Sequence, residues 1–204
     1  MDSTKKMKFF IKRVIDLFGS GIGLILLSPI LIIVIILMKI FMPGPIFFKQ
    51  KRVGKNQVEF NILKFRTMKV NKEAESKLDF SKDKDRLTKL GKLLRRSKVD
   101  ELPQLLNVFL GDMSLVGPRP TIMKQVLEYT PHQLKRINVK PGMTGLAQIN
   151  GNITLPWEQR IEYDIEYVRN FSLFLDFKIL TKTLAIVSMG EEKFKKEKVM
   201  NNTD

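Results

Sequence analysis

An uncharged apolar run near the N-terminus constrains the fold of this chain most strongly. Residues 17–38, LFGSGIGLILLSPILIIVIILM, lie between Asp16 and Lys39 and contain no charged side chain. The run is longer than the roughly 18–20 residues that a helix needs to cross the hydrocarbon core of a bilayer. It is too long for the apolar part of a secretory signal, and no small-residue cleavage site follows it. The sequence therefore predicts a membrane-embedded helix.

Two features of this run bear on its topology. Ser28-Pro29 falls in the middle, where proline removes a helical hydrogen bond and predicts a kink or break. The Ser28 hydroxyl could satisfy a backbone group freed there. Both flanks are basic, although positive charge normally marks only the cytoplasmic side. The residues alone favour equally a re-entrant helix and a kinked spanning helix. The flanking cations are Lys5, Lys6, Lys8, Lys12 and Arg13 before the run, and Lys39, Lys49, Lys51, Arg52 and Lys55 after it.

The charge balance points to anionic partners. The chain has 36 Lys and Arg against 21 Asp and Glu, a net charge of +15. Nucleic acid, anionic lipid and phosphorylated substrates all fit this charge. The chain has no cysteine, which excludes a disulfide framework, a thiolate zinc site and a cysteine nucleophile. His132 is the only histidine, which excludes a multi-histidine metal site, and its polar surroundings predict a surface position.

A β-hairpin is predicted after the apolar run. The segments PIFFKQKRV and VEFNILKFRTM resemble strands and are separated by a turn at Gly54–Asn56. Lys64 and Arg66 alternate with apolar residues, which places both cations on one face of the second strand. That face is either solvated or a contact for phosphate or lipid headgroups.

Amphipathic helices are predicted in the rest of the chain. A basic one covers LTKLGKLLRRSK, and residues 69–86 before it form a polar loop. Two more follow in the C-terminal third, and their apolar positions suit a core. Those positions are Trp157, Ile161, Ile165 and Val168 in the first, and Leu173, Phe177, Leu180, Leu184 and Val187 in the second. Core is the default interpretation, and Trp157, Phe171, Phe174 and Phe177 would also suit a membrane interface.

The acidic pair Asp100 and Glu101 has two interpretations. As a structural feature, Asp100 caps a helix over 101–110, with Pro103 in its first turn and Gly111 as its stop. As a chemical feature, a carboxylate among arginines can attack phosphorus to give an acyl phosphate, while its neighbour binds Mg²⁺.

Two loops rich in proline and glycine follow this helix. GPRP holds Arg119 between two prolines, and a restrained guanidinium suits bidentate phosphate binding. VKPGMTGLAQING has backbone amides that could form an anion nest. The second loop is not a Walker sequence, and the absence of a GxGxxG fingerprint disfavours a dinucleotide-binding fold.

Taken in order, these motifs resemble the bacterial sugar transferase family, the small monotopic polyprenyl-phosphate phosphoglycosyl transferases. The resemblance covers about residues 8–188 and includes the Ser-Pro break, LKFRTM, DELPQLLNVFLGDMSLVGPRP, PGMTGLAQING and WEQRIEYDIEYV. Each motif is weak by itself, and the combination of DELPQ with GPRP is highly specific.

The resemblance implies an enzyme that transfers a phosphosugar from a UDP-sugar to undecaprenyl phosphate and releases UMP. Such a step begins the synthesis of a capsule, exopolysaccharide, O-antigen or glycoprotein glycan. It implies that Asp100 is the nucleophile, that Glu101 helps to bind Mg²⁺, and that the mechanism is ping-pong. It also implies roles for six further residues: Lys64, Arg66, Arg95 and Arg119 in substrate binding, and Ser28 and Pro29 in breaking the membrane helix.

The resemblance further implies an α+β fold that is mainly helical. It consists of a re-entrant membrane helix within residues 1–42, then a cytosol-facing catalytic domain at 43–190 with a short β-hairpin and amphipathic interfacial helices around a compact core. A charged tail covers 191–204. The expected location is the cytoplasmic face of the bacterial inner membrane. Inner-membrane lipid, a second copy of the chain and downstream glycosyltransferases are candidate partners, and nucleic acid is not.

One position departs from the family pattern. Many members have Asn-Gly-Arg after the second glycine-rich loop, whereas this chain has Asn152 in place of the arginine. The departure leaves the identity of the sugar open and does not touch the acidic pair. The alternative to an enzyme is a membrane-tethered basic binding or scaffold protein without catalysis.

Overall fold

The computed structural model describes residues 3–70 and 86–189. The predicted charged tail at 191–204 and most of the predicted polar loop at 69–86 lie outside these residues. The fold is mainly helical α+β, as predicted. The helices are α1 (Ser3–Phe41), α2 (Lys89–Arg96), α3 (Gln104–Leu110), α4 (Met123–Val126), α5 (Leu146–Ile149), α6 (Trp157–Arg169) and α7 (Leu173–Met189), and the strands are β1 (Phe47–Val53), β2 (Glu59–Phe65), β3 (Ser114–Val116) and β4 (Gly142–Thr144).

Helix α1 has 39 residues and continues through Pro29. It is long and apolar enough to cross a membrane. Since Pro29 has no N–H, the carbonyl of Ile25 loses its helical partner. The Ser28 hydroxyl donates to that carbonyl at 2.7 Å, which confirms the predicted role of its side chain. The re-entrant topology itself stays a prediction.

The N-terminal half of α1 is fastened to the rest of the fold by buried polar contacts. Lys12 Nζ lies 2.6 Å from Asp176 Oδ2 on α7, and the Tyr167 hydroxyl donates to the other oxygen of Asp176 at 2.7 Å. Asp16 accepts a hydrogen bond from the backbone N–H of Leu115 at 3.0 Å. Because buried charges need partners, these contacts fix the register of α1 on the rest of the fold.

The C-terminal half of α1 also packs on the rest of the fold. Val34 and Met38 form a buried cluster with Phe65 at the end of β2 and Leu94 of α2. The predicted basic helix is therefore present as α2, and its Leu93 is 61% exposed on the side away from this cluster. Both halves of α1 thus contact the part of the fold that follows this helix.

The predicted hairpin is confirmed. β1 and β2 are antiparallel, with Phe47 opposite Phe65 and Val53 opposite Glu59. Asn107 of α3 joins this hairpin to the acidic pair, because its side chain accepts from the N–H of Leu63 at 2.9 Å. This bond holds β2 alongside the segment that carries Asp100 and Glu101.

The helix after the acidic pair begins later than predicted. Residues Val99–Glu101 form a 3₁₀ turn, α3 begins at Gln104, and its N-cap residue is Pro103. The prediction that Asp100 caps a helix over 101–110 is therefore wrong. Since Pro103 cannot donate a backbone bond, the segment before it uses tight i→i+3 bonds, such as Leu102 N to Val99 O at 3.2 Å. The predicted stop at Gly111 is confirmed by its φ of 100°.

The two C-terminal helices differ in what they bury. On α6, Ile161 and Ile165 are buried, as predicted for core positions. On α7, Ile179 is fully buried, whereas Phe174 and Phe177 are 77% and 64% exposed. The exposed apolar side of α7 agrees with the interfacial alternative rather than the core one.

Candidate active site

Asp100 lies in the 3₁₀ turn with its carboxylate free of protein hydrogen bonds within the described residues. The residue is only 8% exposed. Burial raises the pKa of its carboxyl, the adjacent Glu101 raises it further, and the charges of Lys64, Arg95 and Lys98 lower it in part. A carboxylate that is buried, unbonded and surrounded by cations is available to react.

Glu101 is in the opposite situation. Its Oε1 accepts from Lys64 Nζ at 2.5 Å and from Arg119 Nη2 at 3.2 Å. Burial alone would raise the pKa of Glu101, but the charges of Arg119 and Lys64 and their hydrogen bonds outweigh it and lower the pKa to about 2. The sequence-predicted residues Lys64 and Arg119 are thus brought together on this carboxylate.

Arg95 extends from the last turn of α2 beside the acidic pair. Its Nε donates to Thr67 Oγ1 at 2.9 Å, which fixes the direction of the exposed guanidinium. Its charge acts on Asp100. The structure therefore brings three of the sequence-predicted site residues near Asp100, namely Lys64 from β2, Arg95 from α2 and the adjacent Glu101.

Arg66 lies apart from this group. Its guanidinium is buried, and it donates to the carbonyl oxygens of Met42 and Pro43, just after α1 ends. These contacts favour a structural role, in which Arg66 satisfies carbonyls at the end of the membrane helix. Its assignment to substrate binding stays a prediction that no described contact supports.

Arg136 is a residue of this region that the sequence did not reveal. It is 2% exposed, forms a buried ion pair with Asp164 of α6, and lies 5.5 Å from the centre of the Trp157 ring. Its Nη2 also donates to the carbonyl of Arg119 at 3.1 Å. Arg136 therefore holds the GPRP loop, and no local pattern in the sequence signals this.

The two predicted loops pack directly on each other. β3 and β4 are parallel, Gly117 N–H donates to Thr144 O, and Gly142 N–H donates to Pro118 O, both at 2.9 Å. A side chain at Gly142 would put its Cβ 2.1 Å from the nitrogen of Gly117, which only glycine avoids. The prediction that the backbone amides of this loop form an anion nest is wrong for Gly142, because its N–H already donates to the carbonyl of Pro118.

A cleft opens beside the acidic pair, and we call it the Glu101 cleft. It is lined by Arg52, Ile62, Lys64, Glu101, Gln104, Arg119, Pro120 and Gly142. Burial lowers the pKa of Arg52, and the neighbouring charge of Arg119 lowers it further. In the sequence, Arg52 stands out only as one of the cations that flank the apolar run. The sequence signal for its position is the alternation of Arg52 with the apolar Val53, which places Arg52 on one face of the strand that pairs with β2.

Two other sequence positions lie outside this cleft. His132 is exposed and bonds Glu162 at 3.1 Å, which confirms its predicted surface position. Asn152 stands in a short 3₁₀ helix with a φ of 52°. Its effect on the choice of sugar stays a prediction.

The residues present fit a Mg²⁺ ion that also takes ligands from a substrate. Within residues 3–70 and 86–189, no group of three or more potential ligand side chains is found. Mg²⁺ is often held by one or two carboxylates together with water and phosphate oxygens. Asp100 and the second oxygen of Glu101 could supply those carboxylates, since neither bonds to a described protein group.

Comparison with known proteins identifies the family of this chain. The family model described as "Bacterial sugar transferase" matches residues 7–190. "Uncharacterized sugar transferase EpsL" of Bacillus subtilis (strain 168) is 46% identical over 181 residues, which cover 89% of each chain.

Two longer relatives have names that state a reaction. "UDP-N-acetylgalactosamine-undecaprenyl-phosphate N-acetylgalactosaminephosphotransferase" of Aeromonas hydrophila is 40% identical over 188 residues, which cover 89% of this chain and 44% of the relative. "UDP-glucose:undecaprenyl-phosphate glucose-1-phosphate transferase" of Klebsiella pneumoniae is 41% identical over 181 residues, which cover 85% and 39%. The present chain thus spans less than half the length of these two. It belongs to the bacterial sugar transferase family.

Proposed function

We propose that this protein transfers a phosphosugar from a UDP-sugar to undecaprenyl phosphate, through a covalent intermediate on Asp100, and releases UMP. The observation that carries the proposal is the contrast between the two neighbouring carboxylates. Asp100 is buried without a hydrogen bond among the described residues, whereas Glu101 is fixed by Lys64 and Arg119. An unbonded carboxylate beside cations that attract phosphate suits nucleophilic attack on phosphorus.

In the proposed first step, Asp100 attacks the phosphorus attached to the sugar. The cations of the Glu101 cleft neutralise charge on the diphosphate, and the bond to the UMP phosphate breaks. In the second step, the polyprenyl phosphate attacks the same phosphorus and releases Asp100. Mg²⁺, held by Glu101 with or without Asp100, would supply further neutralisation of the diphosphate.

Intact-protein mass spectrometry tests the nucleophile. Incubation with Mg²⁺ and UDP-sugars, without acceptor, should add one sugar phosphate to the wild-type protein and release UMP. Asp100→Asn should form no adduct. Asp112→Asn is the matched control, because Asp112 is exposed at the far end of α3. Full turnover by Asp100→Asn would refute the assignment, and a panel of UDP-sugars in the same assay would identify the donor.

The proposed role of Glu101 in binding Mg²⁺ has a separate test. Glu101→Gln keeps the size of the side chain but removes the charge that a metal ion needs. We expect the Mg²⁺ concentration that gives half-maximal UMP release to rise in this variant. An unchanged Mg²⁺ titration would count against the role of Glu101.

We also propose that α1 is re-entrant and that the site faces the cytoplasm. In support, both halves of α1 contact the catalytic domain, and the apolar side chains of Leu110 and Phe174 are 65% and 77% exposed, as suits a membrane interface. The chain lacks cysteine, so Ser3→Cys and Pro45→Cys each introduce a single label site. Both should react with a membrane-impermeant reagent from the cytoplasmic side. Labelling from opposite sides would instead establish a spanning helix.

A further inference from the structure

The Glu101 cleft contains more positive than negative charge. Arg52, Lys64 and Arg119 line it together with a single carboxylate, that of Glu101. Lys64 and Arg119 both bond that carboxylate, whereas Arg52 forms no ion pair with a carboxylate among residues 3–70 and 86–189. The only partner of its guanidinium there is Gln50 Oε1 at 2.6 Å, and its buried Nε has none. A buried donor without a partner is costly unless a ligand satisfies it.

The backbone fixes the position of Arg52. In the β1–β2 register, Arg52 pairs with Phe60 and Phe48 pairs with Lys64, so that Arg52 and Lys64 project from the same face of the hairpin. The N–H of Val53 donates to the carbonyl of Thr121 at 2.8 Å. This bond ties the end of β1 to the chain just beyond Arg119. Arg52 is therefore held in the cleft by the fold, without an acidic partner.

Arg52 and Asp100 are both influenced by the charge of Glu101. The charged neighbours of Asp100 are Glu101, Lys64, Arg95 and Lys98. Those of Arg52 are Arg119 and Glu101. Arg52 and Asp100 thus share Glu101 as a charged neighbour.

The attacking and leaving oxygens in phosphoryl transfer are roughly in line with the phosphorus. When Asp100 attacks, the leaving phosphate departs from the side away from Asp100. When Asp100 itself later leaves, the second attacking phosphate must approach from that same side. The two phosphates therefore occupy one place in succession.

We propose that Arg52, together with Arg119, is a phosphate cradle used twice, first for the phosphate that leaves in UMP and then for the polyprenyl phosphate. This inference rests on the proposed function. In the first step, an Asp100 oxygen forms the new P–O bond, and the bridging P–O bond breaks with its electron pair on UMP. In the second step, a phosphate oxygen of the acceptor forms the bond, and the electron pair returns to Asp100. No proton transfer is required.

The test separates the two half-reactions of the full-length protein in detergent. Adduct formation is followed by intact mass without acceptor. The loaded protein is then desalted, and loss of the adduct is followed after polyprenyl phosphate is added. Arg52→Gln should slow both steps, each by about 100-fold, the usual effect of losing one charge-stabilising donor. It should also weaken the binding of UMP measured by calorimetry.

Lys49→Gln is the matched control. Lys49 lies on the same strand, pairs with Leu63 on the opposite face, and is exposed, so that the substitution changes the charge equally. It should leave both rates and the affinity for UMP unchanged. Arg52→Lys keeps the charge without the planar fork, and it should fall between wild type and Arg52→Gln.

Three results would overturn the inference. If Arg52→Gln behaves as Lys49→Gln does, Arg52 binds neither phosphate. If Arg52→Gln slows adduct formation but not adduct loss, Arg52 contacts only the donor, and the cradle is not shared. If the wild-type protein forms no adduct with any UDP-sugar, the proposed function itself fails, and the shared cradle fails with it.

Discussion

Replacing Arg136 with Leu should destabilise the fold strongly, although Arg136 does not line the Glu101 cleft. The substitution removes the only cation that forms an ion pair with Asp164 among the described residues, and the two residues are 2% and 1% exposed. It also removes the donor to the carbonyl of Arg119. The variant must therefore bury an unpaired carboxylate and loosen the GPRP loop.

The size of the effect follows from burial. Removing one partner of a buried ion pair typically costs about 3–5 kcal/mol. For a domain of this size, that corresponds to a decrease in the melting temperature of roughly 6–20 °C. His132→Leu is the control, because the His132–Glu162 pair joins the same two parts of the chain with side chains that are 52% and 59% exposed. Loss of an exposed pair costs under about 1 kcal/mol.

The pH dependence of the loss of stability gives a second test of this prediction. Burial raises the pKa of Asp164 to about 6, while the charge of Arg136 lowers it in part. Without Arg136, the pKa of Asp164 rises further, so Asp164 stays protonated to higher pH in the folded variant than in the unfolded chain. A carboxyl with a raised folded pKa loses stabilisation as pH rises. The destabilisation by Arg136→Leu should therefore be larger at pH 8 than at pH 6.

Thermal and urea unfolding followed by circular dichroism, in the same detergent at both pH values, measures these differences. UMP release at a permissive temperature measures the effect on the GPRP loop, and it should fall in Arg136→Leu but not in His132→Leu. Equal stability losses in the two variants, or a loss that is larger at pH 6, would refute the reasoning.

Two further predictions concern the acidic pair and the helix packed beside it. Lys64→Met should shift the acid limb of the pH profile for UMP release to higher pH. Burial raises the pKa of Asp100 and the charge of Lys64 lowers it in part, so loss of Lys64 raises this pKa. An acid limb that moves to lower pH would contradict this prediction. Gly91→Ala should lower both melting temperature and UMP release, because its Cβ would lie 1.9 Å from the backbone oxygen of Thr67. Gly21→Ala, whose Cβ would lie 3.5 Å from a flexible side chain, should be tolerated.

Elements that depend on local patterns were predictable from the sequence. The alternation around the Gly54–Asn56 turn predicted the hairpin, and helical spacing predicted the buried positions Ile161 and Ile165. The bond from Ser28 to the carbonyl of Ile25 followed from the chemistry of a proline one residue later. In each case the controlling residues lie within a few positions of one another.

Features that depend on long-range contacts were not predictable. Lys64 and Arg66 are equivalent by alternation, yet one bonds Glu101 and the other bonds carbonyls at the end of α1. What separates them is the location of the segments that pack against β2, which the strand pattern does not contain. The late start of α3 has a local cause in Pro103, but helix propensity and capping patterns alone favoured an earlier start.

The two neighbouring carboxylates show how one short segment can hold groups for different tasks. Asp100 and Glu101 are adjacent in a 3₁₀ turn, yet the pKa of one is raised and that of the other is lowered to about 2. The difference arises because Lys64 and Arg119 donate to Glu101, while Asp100 is buried without such donors. Neighbouring acids whose pKa values are pushed apart are suited to different roles. Glu101 remains an anion that orders the cations, and Asp100 keeps unshared lone pairs, which its proposed attack on phosphorus requires.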